Sequence, residues 1–240
     1  MENKNLIYGK HSIYEFIKKH PNLIKNIWTT NMDSIFETLD LKINIVTKNK
    51  LDRMFQYEVN HQNIVAEVKE YNYQPFSEMK AKLLETNKNI VLIFDQIQDP
   101  YNFGALIRTA SLLNIQNIVI LDRKQVFVTS TVVKTSAGTV YDVNISKVSN
   151  LSNVVKELQK QGFWVYSTNL NQNSQDIRNV SFANKSAIII GNEHSGVSEL
   201  LTKNSDVNFY IPSNKNIDSF NANVAGSIIM FWVSNQIKLI

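Results

Sequence analysis

Over the first seventy or so positions the apolar residues fall in short groups with two spacings. In KHSIYEFIKK (10–19), Ile13, Phe16 and Ile17 recur at intervals of three and one, which predicts a helix with one buried face. Short apolar runs follow at 23–28 (LIKNIW), 43–46 (INIV) and 61–68 (HQNIVAEV), the last reading as a strand. Such short elements in alternation predict a small α/β unit over residues 1–72. The next stretch, YNYQPFSEMKAKLLETNKN (71–89), is polar and carries Pro75; it reads as a linker over 73–88 that includes an entry helix.

From residue 89 onward the apolar runs become continuous. IVLIF (90–94), NIVIL (117–121), FWVYST (163–168), AIIIG (187–191) and VNFYI (207–211) read as buried strands. Helices are predicted between them at about 102–114, with a stripe of Ala105, Leu106, Thr109 and Leu113, and at about 150–161. A last helix over about 221–237 carries Val224, Ile228, Phe231 and Trp232. Apolar strands alternating with helices predict an α/β fold: a parallel-sheet domain over 89–240 with both faces covered, following the smaller unit. Ligands of such sheets bind at the carboxyl ends of the strands, so the informative loops are 95–102, 191–197 and 212–221.

Composition narrows the chemistry. Hydrophobic residues at 43% and charged residues at 19% belong to a folded globular chain. With no Cys, disulfides, a thiolate nucleophile and a thiolate zinc site are excluded. The four His residues (His11, His20, His61 and His194) form no H-x-x-x-H pair, so no metal is expected. No run of about 18 apolar residues predicts a membrane span, and the first residues lack the apolar core of a signal peptide; a soluble cytoplasmic protein is expected. The net charge of +4 permits a polyanionic partner. Arginine occurs only as Arg53, Arg108, Arg123 and Arg178, which draws notice to Arg108 in a chain that otherwise uses Lys. The first strand is not followed by G-x-G-x-x-G, and G-x-x-x-x-G-K-[ST] is absent, which argues against a dinucleotide site and excludes a P-loop.

Read singly, the strand-end loops allow plain structural roles. Asp99-Pro100 starts turns, and Asn102 and Asn221 suit helix N-caps. Gly104 inside a helix costs about 1 kcal/mol against Ala, which points to close packing or a ligand. Glu193, between Gly191 and Gly196, suits a surface carboxylate capping the next helix, and His61 and His194 suit structural or solvated positions.

Together the loops carry more. Asp99-Pro100-Tyr101-Asn102-Phe103-Gly104 with Arg108, then Gly191-Asn192-Glu193 with Gly196, then Ile211-Pro212 with Ser219-Phe220-Asn221, follow successive strands in that order. The set resembles the three motifs of the SpoU branch of the SPOUT RNA 2'-O-methyltransferases. YGKHSIYEFI (8–17) and NHQNIVAEV (60–68) resemble the ribosomal-protein-like RNA-binding domain that precedes the catalytic domain in this family's 23S rRNA guanosine members. The chain departs from the pattern at Phe220, where Leu is more usual, at Asn63 in place of Gly, and at Ala222-Asn223.

The resemblance implies a C-terminal domain tied in a trefoil knot, a feature no periodicity reveals. It implies S-adenosyl-L-methionine (SAM) as methyl donor, held by backbone groups around Gly191, Ile211 and Phe220, and a ribose 2'-hydroxyl of RNA as acceptor. A 23S rRNA guanosine is the expected target; a tRNA 2'-O-methyltransferase of the same family and a non-catalytic RNA-binding protein are the alternatives. The motif arginine, Arg108, is implied at the hydroxyl. A guanidinium stays protonated, so its physical role is to anchor the flanking phosphate and stabilise developing alkoxide charge. Asn102, Glu193, Ser219 and Asn221 would orient Arg108 and the ribose, with Glu193 as the other possible proton acceptor. The resemblance also implies a homodimer, to which Phe231 and Trp232 contribute unless they lie in the core. The N-terminal unit has ten basic against nine acidic residues over 1–72, so its charge alone does not identify an RNA surface.

Overall fold

The computed structural model describes residues 6–55, 58–171, 173–192, 195–214 and 220–240. The N-terminal unit holds β1 (Leu6–Tyr8), α1 (Lys10–Lys19), β2 (Ile24–Thr29), β3 (Ile43–Ile45), α2 (Lys48–Asp52) and β4 (Ile64–Val68). Its sheet runs β1-β4-β2-β3, with β4 antiparallel to both neighbours. Helix α1 buries Ile13, Phe16 and Ile17, the face its spacing predicts. The turn into β4 explains two residues of the sequence pattern. Asn63 has a φ of 63°, a left-handed conformation that Asn tolerates better than most residues and Gly best. His61 is buried; its Nδ1 accepts from the Asn63 N–H at 3.0 Å and its Nε2 lies 2.9 Å from Asp52 Oδ1. This histidine is structural.

Next come α3 (Phe76–Leu83), β5 (Asn89–Asp95), α4 (Pro100–Leu112), β6 (Asn117–Leu121), α5 (Ser130–Thr135), β7 (Asn144–Val148) and α6 (Leu151–Lys160). The chain ends with β8 (Trp164–Thr168), β9 (Gln175–Asp176), β10 (Lys185–Gly191), α7 (Glu199–Asn204), β11 (Val207–Tyr210) and α8 (Ala222–Gln236). The seven strands form one parallel sheet in the order β7-β6-β5-β10-β8-β11-β9. Successive side chains of a strand face opposite sides, so β5 serves two cores. Ile90, Leu92 and Phe94 pack with Phe103 and Leu106 of α4 and Ile229 and Val233 of α8. Val91 and Ile93 pack with Met79 and Leu83 of α3 and with Val155 and Leu158 of α6.

Two expectations need correction. The stretch 73–88 is more than a linker: Met79 and Leu83 of α3 are buried in the second core. Just before it, the Tyr71 hydroxyl donates to Val143 O at 2.6 Å and accepts from Ile145 N at 2.9 Å, and Gln74 N donates to Ile145 O at 3.0 Å. These bonds pair the first part of the open edge of β7, which would otherwise offer unpaired groups. The buried side of α4 is Phe103, Leu106, Ile107 and Ala110; of the expected stripe only Leu106 is buried. On α8 the open choice between core and surface falls to the surface: Val224, Ile228, Phe231 and Trp232 are all exposed, while Gly226, Ile229, Met230 and Val233 are buried.

Among the described residues no helix is long and apolar enough to cross a membrane, and no group of three or more His, Asp or Glu side chains is placed to hold a metal.

Candidate active site

A cavity of about 410 Å³ opens at the carboxyl ends of β8, β10 and β11, against the first turns of α8. Gly191, Ile211 and Phe220 all line it, so the three expected cofactor-binding residues converge on one space. Ile190 and Ile229 add apolar wall, and Asn192 and Ser195 add polar groups.

Gly191 ends β10, and the chain then doubles back on itself. Asn192 and Gly196 exchange backbone hydrogen bonds of 3.1 and 2.9 Å, with Gly196 at a φ of 65°. A Cβ on Gly191 would lie 2.1 Å from Gly196 C and 2.2 Å from Val197 N. The glycine is therefore required by the close return of its own loop. Two bonds tie that loop to the end of β5: Ser198 N donates to buried Asp95 Oδ2 at 2.8 Å, and Asn192 Nδ2 donates to Gln96 O at 2.7 Å. Neither Asp95 nor Ser198 is among the residues to which the motif pattern assigns a role. Asp95 opens the 95–102 loop, directly after the buried run IVLIF, and that position is the signal that marks it.

The N-cap of α4 is Asp99, not Asn102. Asp99 accepts from Tyr101 N and Asn102 N, both at 3.2 Å, with Pro100 at the first helical position. Asn102 is thereby inside the first turn, buried, with its Oδ1 accepting from Asn223 Nδ2 at 2.9 Å. Gly104 faces α5: a Cβ there would sit 1.8 Å from Thr135 Oγ1, so packing explains this glycine. Asn221 is the N-cap of α8, its Oδ1 accepting from Asn223 N at 3.0 Å. Asn223, a departure from the family pattern, thus joins the first and third motifs.

Arg108 stands apart from this group. It is exposed, does not line the cavity, and makes no hydrogen bond or ion pair among the described residues. Six residues of helix turn it roughly 120° from Asn102, which separates a buried amide from a solvent-facing guanidinium. Glu193, Ser219 and His194 lie outside the described residues.

A second hollow, about 260 Å³, lies where the two units meet. Gly9, His11 and Gln62 of the N-terminal unit line it together with Lys134 of α5. Lys134 Nζ stands 4.0 Å from the Tyr8 ring centroid, and the next residue, Thr135, packs on Gly104 of α4. Helix α5 thus touches both the N-terminal unit and the helix that carries Asn102. Nearby, Phe16 meets Tyr141 edge to face at 5.4 Å, and a Cβ on Gly138 would lie 2.9 Å from the Phe16 ring. The two units share one core here.

With this geometry the similarities to known proteins have a structural counterpart. Residues 89–231 match the family described as the SpoU rRNA Methylase family, and residues 6–74 match the domain described as RNA 2'-O ribose methyltransferase substrate binding. A Staphylococcus aureus protein named as a TrmH family tRNA/rRNA methyltransferase is 35% identical over 237 residues, covering 95% of this chain and 94% of its own. The fold is shared with the SpoU methyltransferase AviRb of Streptomyces viridochromogenes in complex with the cofactor AdoMet, at a TM-score of 0.79 and 16% identity over 98% of this chain and 90% of that one. It is shared as well with an AdoMet-bound rRNA methyltransferase of Sinorhizobium meliloti, at a TM-score of 0.78 and 19% identity over 97% and 87%. A catalytic-domain match spanning more than half the chain, a substrate-binding match before it, and the three motif loops gathered at the strand ends lead to one conclusion: the chain belongs to the SpoU methylase family.

Proposed function

We propose that the cavity takes SAM and that the protein methylates a ribose 2'-hydroxyl of RNA, with a guanosine of 23S (large-subunit) rRNA as target. The observation that carries this reading is the convergence of Gly191, Ile211 and Phe220, from two separate motifs, on one cavity at the strand ends. Its volume of about 410 Å³ is within the usual range for small-molecule sites. Its walls fit an adenosine with a charged tail: Ile211, Phe220 and Ile229 are apolar, while Thr168, Asn169, Asn192 and Ser195 are polar. Bound there, SAM supplies a sulfonium methyl group. The chain's own residues would position the acceptor, since an in-line transfer gains most from orientation. Arg108, protonated and exposed, suits a contact with phosphate and with charge developing on the 2'-oxygen. Asn102 and Asn221 would order the ribose, and Glu193 and Ser219 complete the set by motif position; Glu193 is the carboxylate able to take the hydroxyl proton.

RNA would also lie along the second hollow, where Lys134 of α5 offers a cation. The rRNA reading draws support from the Sinorhizobium meliloti protein, named as an rRNA methyltransferase, whose fold aligns over 97% of this chain. We further propose a homodimer. Tyr101, Arg108 and Leu112 are exposed at spacings of seven and four on α4, beside the exposed Val224, Ile228, Phe231 and Trp232 of α8. A second copy seated here would cover an apolar surface and shield Arg108 from water. Threading of the C-terminal segment as a trefoil knot, and a cytoplasmic place of action beside assembling ribosomes, complete the proposal.

The test uses 23S rRNA and total tRNA from cells lacking the gene, incubated with the protein and SAM and digested to nucleosides. Formation of 2'-O-methylguanosine in 23S rRNA is expected. Methylation confined to tRNA selects the alternative target, and SAM binding without transfer to either RNA rejects both.

A further inference from the structure

Asn223 lies in the first turn of α8, 121 residues from Asn102, and the two side chains meet at 2.9 Å with Asn223 Nδ2 donating and Asn102 Oδ1 accepting. Asn102 is 7% exposed, so the orientation of its amide matters: an amide offers an acceptor at one end and two donors at the other. Its backbone N–H is committed to Asp99 Oδ2 and its side-chain oxygen to Asn223.

The donor is held as firmly as the acceptor. Asn223 N donates to Asn221 Oδ1, which fixes the residue at the helix start. Below it, α4 and α8 run in the same direction in close contact. A Cβ on Gly226 would lie 2.3 Å from Leu106 Cδ2, and Thr109 Oγ1 meets Ser227 Oγ at 3.0 Å. Asn102, Leu106 and Thr109 therefore face Asn223, Gly226 and Ser227 in fixed register.

We propose that Asn223 is a positioning residue for methyl transfer: it holds the Asn102 oxygen toward α8 and so fixes the direction in which the side-chain N–H groups of this motif residue point. This inference rests on the RNA 2'-O-methyltransferase reading. The acceptors at such a site, phosphate oxygens and a 2'-oxygen gaining negative charge, call for donors, and a donor already oriented loses no free energy to reorganisation during the reaction. The link also couples the third motif, through Asn221, to the first.

The experiment is single-turnover methylation at saturating RNA and SAM, with SAM affinity measured in parallel, for Asn223→Ala, Asn223→Asp, Asn102→Ala, Asn102→Asp and the double alanine variant. Melting curves first establish that each variant is folded. Asn223→Ala is expected to slow transfer about tenfold, the worth of one hydrogen bond, while SAM affinity changes less than about twofold. Asn223→Asp, which cannot donate, should be at least as slow. Asn102→Asp keeps an acceptor for Asn223 but loses its own donors, and should be as impaired as Asn102→Ala. In the Asn102→Ala background the Asn223→Ala change should add nothing, because its effect runs through Asn102. A second readout does not depend on activity: the Asn223 side-chain amide protons should be protected from exchange in the wild type and exposed in Asn102→Ala. Additive losses in the double variant, near-normal transfer by Asn102→Asp, or an effect on SAM affinity alone would each overturn the proposal. If the wild-type protein transfers no methyl group to RNA, the functional reading itself fails, a result distinct from any of these.

Discussion

The Asp95 carboxylate at the end of β5 accepts the backbone N–H of Ser198 at 2.8 Å, joining positions 103 residues apart in sequence. Gln96, in a left-handed conformation with φ at 63°, accepts from Asn192 through its carbonyl. These two bonds pin both ends of the loop after Gly191, and that loop lines the proposed cofactor cavity. Asp95→Ala should therefore weaken SAM binding while the sheet stays folded. A hydrogen bond to a charged group contributes about 1.5–3 kcal/mol, so the loss should be roughly tenfold to a hundredfold in Kd. Asp95→Asn, which keeps one acceptor oxygen, should lose much less. Calorimetric titration with SAM measures both, and equal affinities for Asp95→Ala and wild type would show that the loop holds without this bond.

Gly104→Ala tests the α4–α5 contact. Helix propensity favours Ala by about 1 kcal/mol. Overlap with Thr135 Oγ1, 1.8 Å from the added Cβ, should outweigh it and leave the protein about 1–3 kcal/mol less stable in urea. With Thr135→Ala in the background the same change should become neutral or better. A destabilisation that Thr135→Ala does not relieve would place the conflict elsewhere.

His20 gives the junction of the two units a pH dependence. Burial lowers its pKa most, Lys19 lowers it further, and Asp142, 3.2 Å from Nε2, opposes both. The folded-state pKa is thus below the unfolded value near 6.5, and the folded state binds fewer protons in that window. This contribution to stability is complete above about pH 6.5 and declines as the pH falls below it. Replacing His20 with Gln should flatten the fall in Tm between about pH 7 and 5. A steeper fall in the variant would reverse the sign.

Lys134 tests the RNA path. Lys134→Glu should weaken RNA binding and lower the dependence of log K on log salt by about one phosphate contact, with SAM affinity unchanged. This variant is sharper than removing the N-terminal unit, which would bare Gly138 and Tyr141 where Phe16 now packs. An unchanged salt slope would take Lys134 out of the RNA interface.

Much of the fold was legible where spacing and burial coincide. Ile13, Phe16 and Ile17 mark the buried face of α1, and the continuous run 90–94 marks a strand covered on both sides. The last helix could not be oriented because it is apolar nearly all round: Val224, Ile228 and Phe231 have the same helical spacing as Gly226, Met230 and Val233, and periodicity cannot say which face meets the core. The N-cap of α4 was misread although Pro100 favours the first helical position, which makes Asp99 the cap. Gly191, Ile211 and Phe220 were singled out by the family resemblance of their motifs, and the fold brings all three to one cavity. The Asn223–Asn102 and Ser198–Asp95 bonds were not legible, since each depends on how distant helices and strands are brought together.

The most direct measurement follows a labelled methyl group from SAM into 23S rRNA and identifies the modified nucleoside by mass spectrometry, for the wild type and for Arg108→Ala. Expected is a single 2'-O-methylated nucleoside, with transfer by Arg108→Ala slowed by two to three decades, about 3–4 kcal/mol, while SAM affinity is retained. A methyl group found on a base, or an Arg108→Ala rate above about a third of wild type, a loss below 1 kcal/mol, would contradict the proposed ribose chemistry or the role of its arginine.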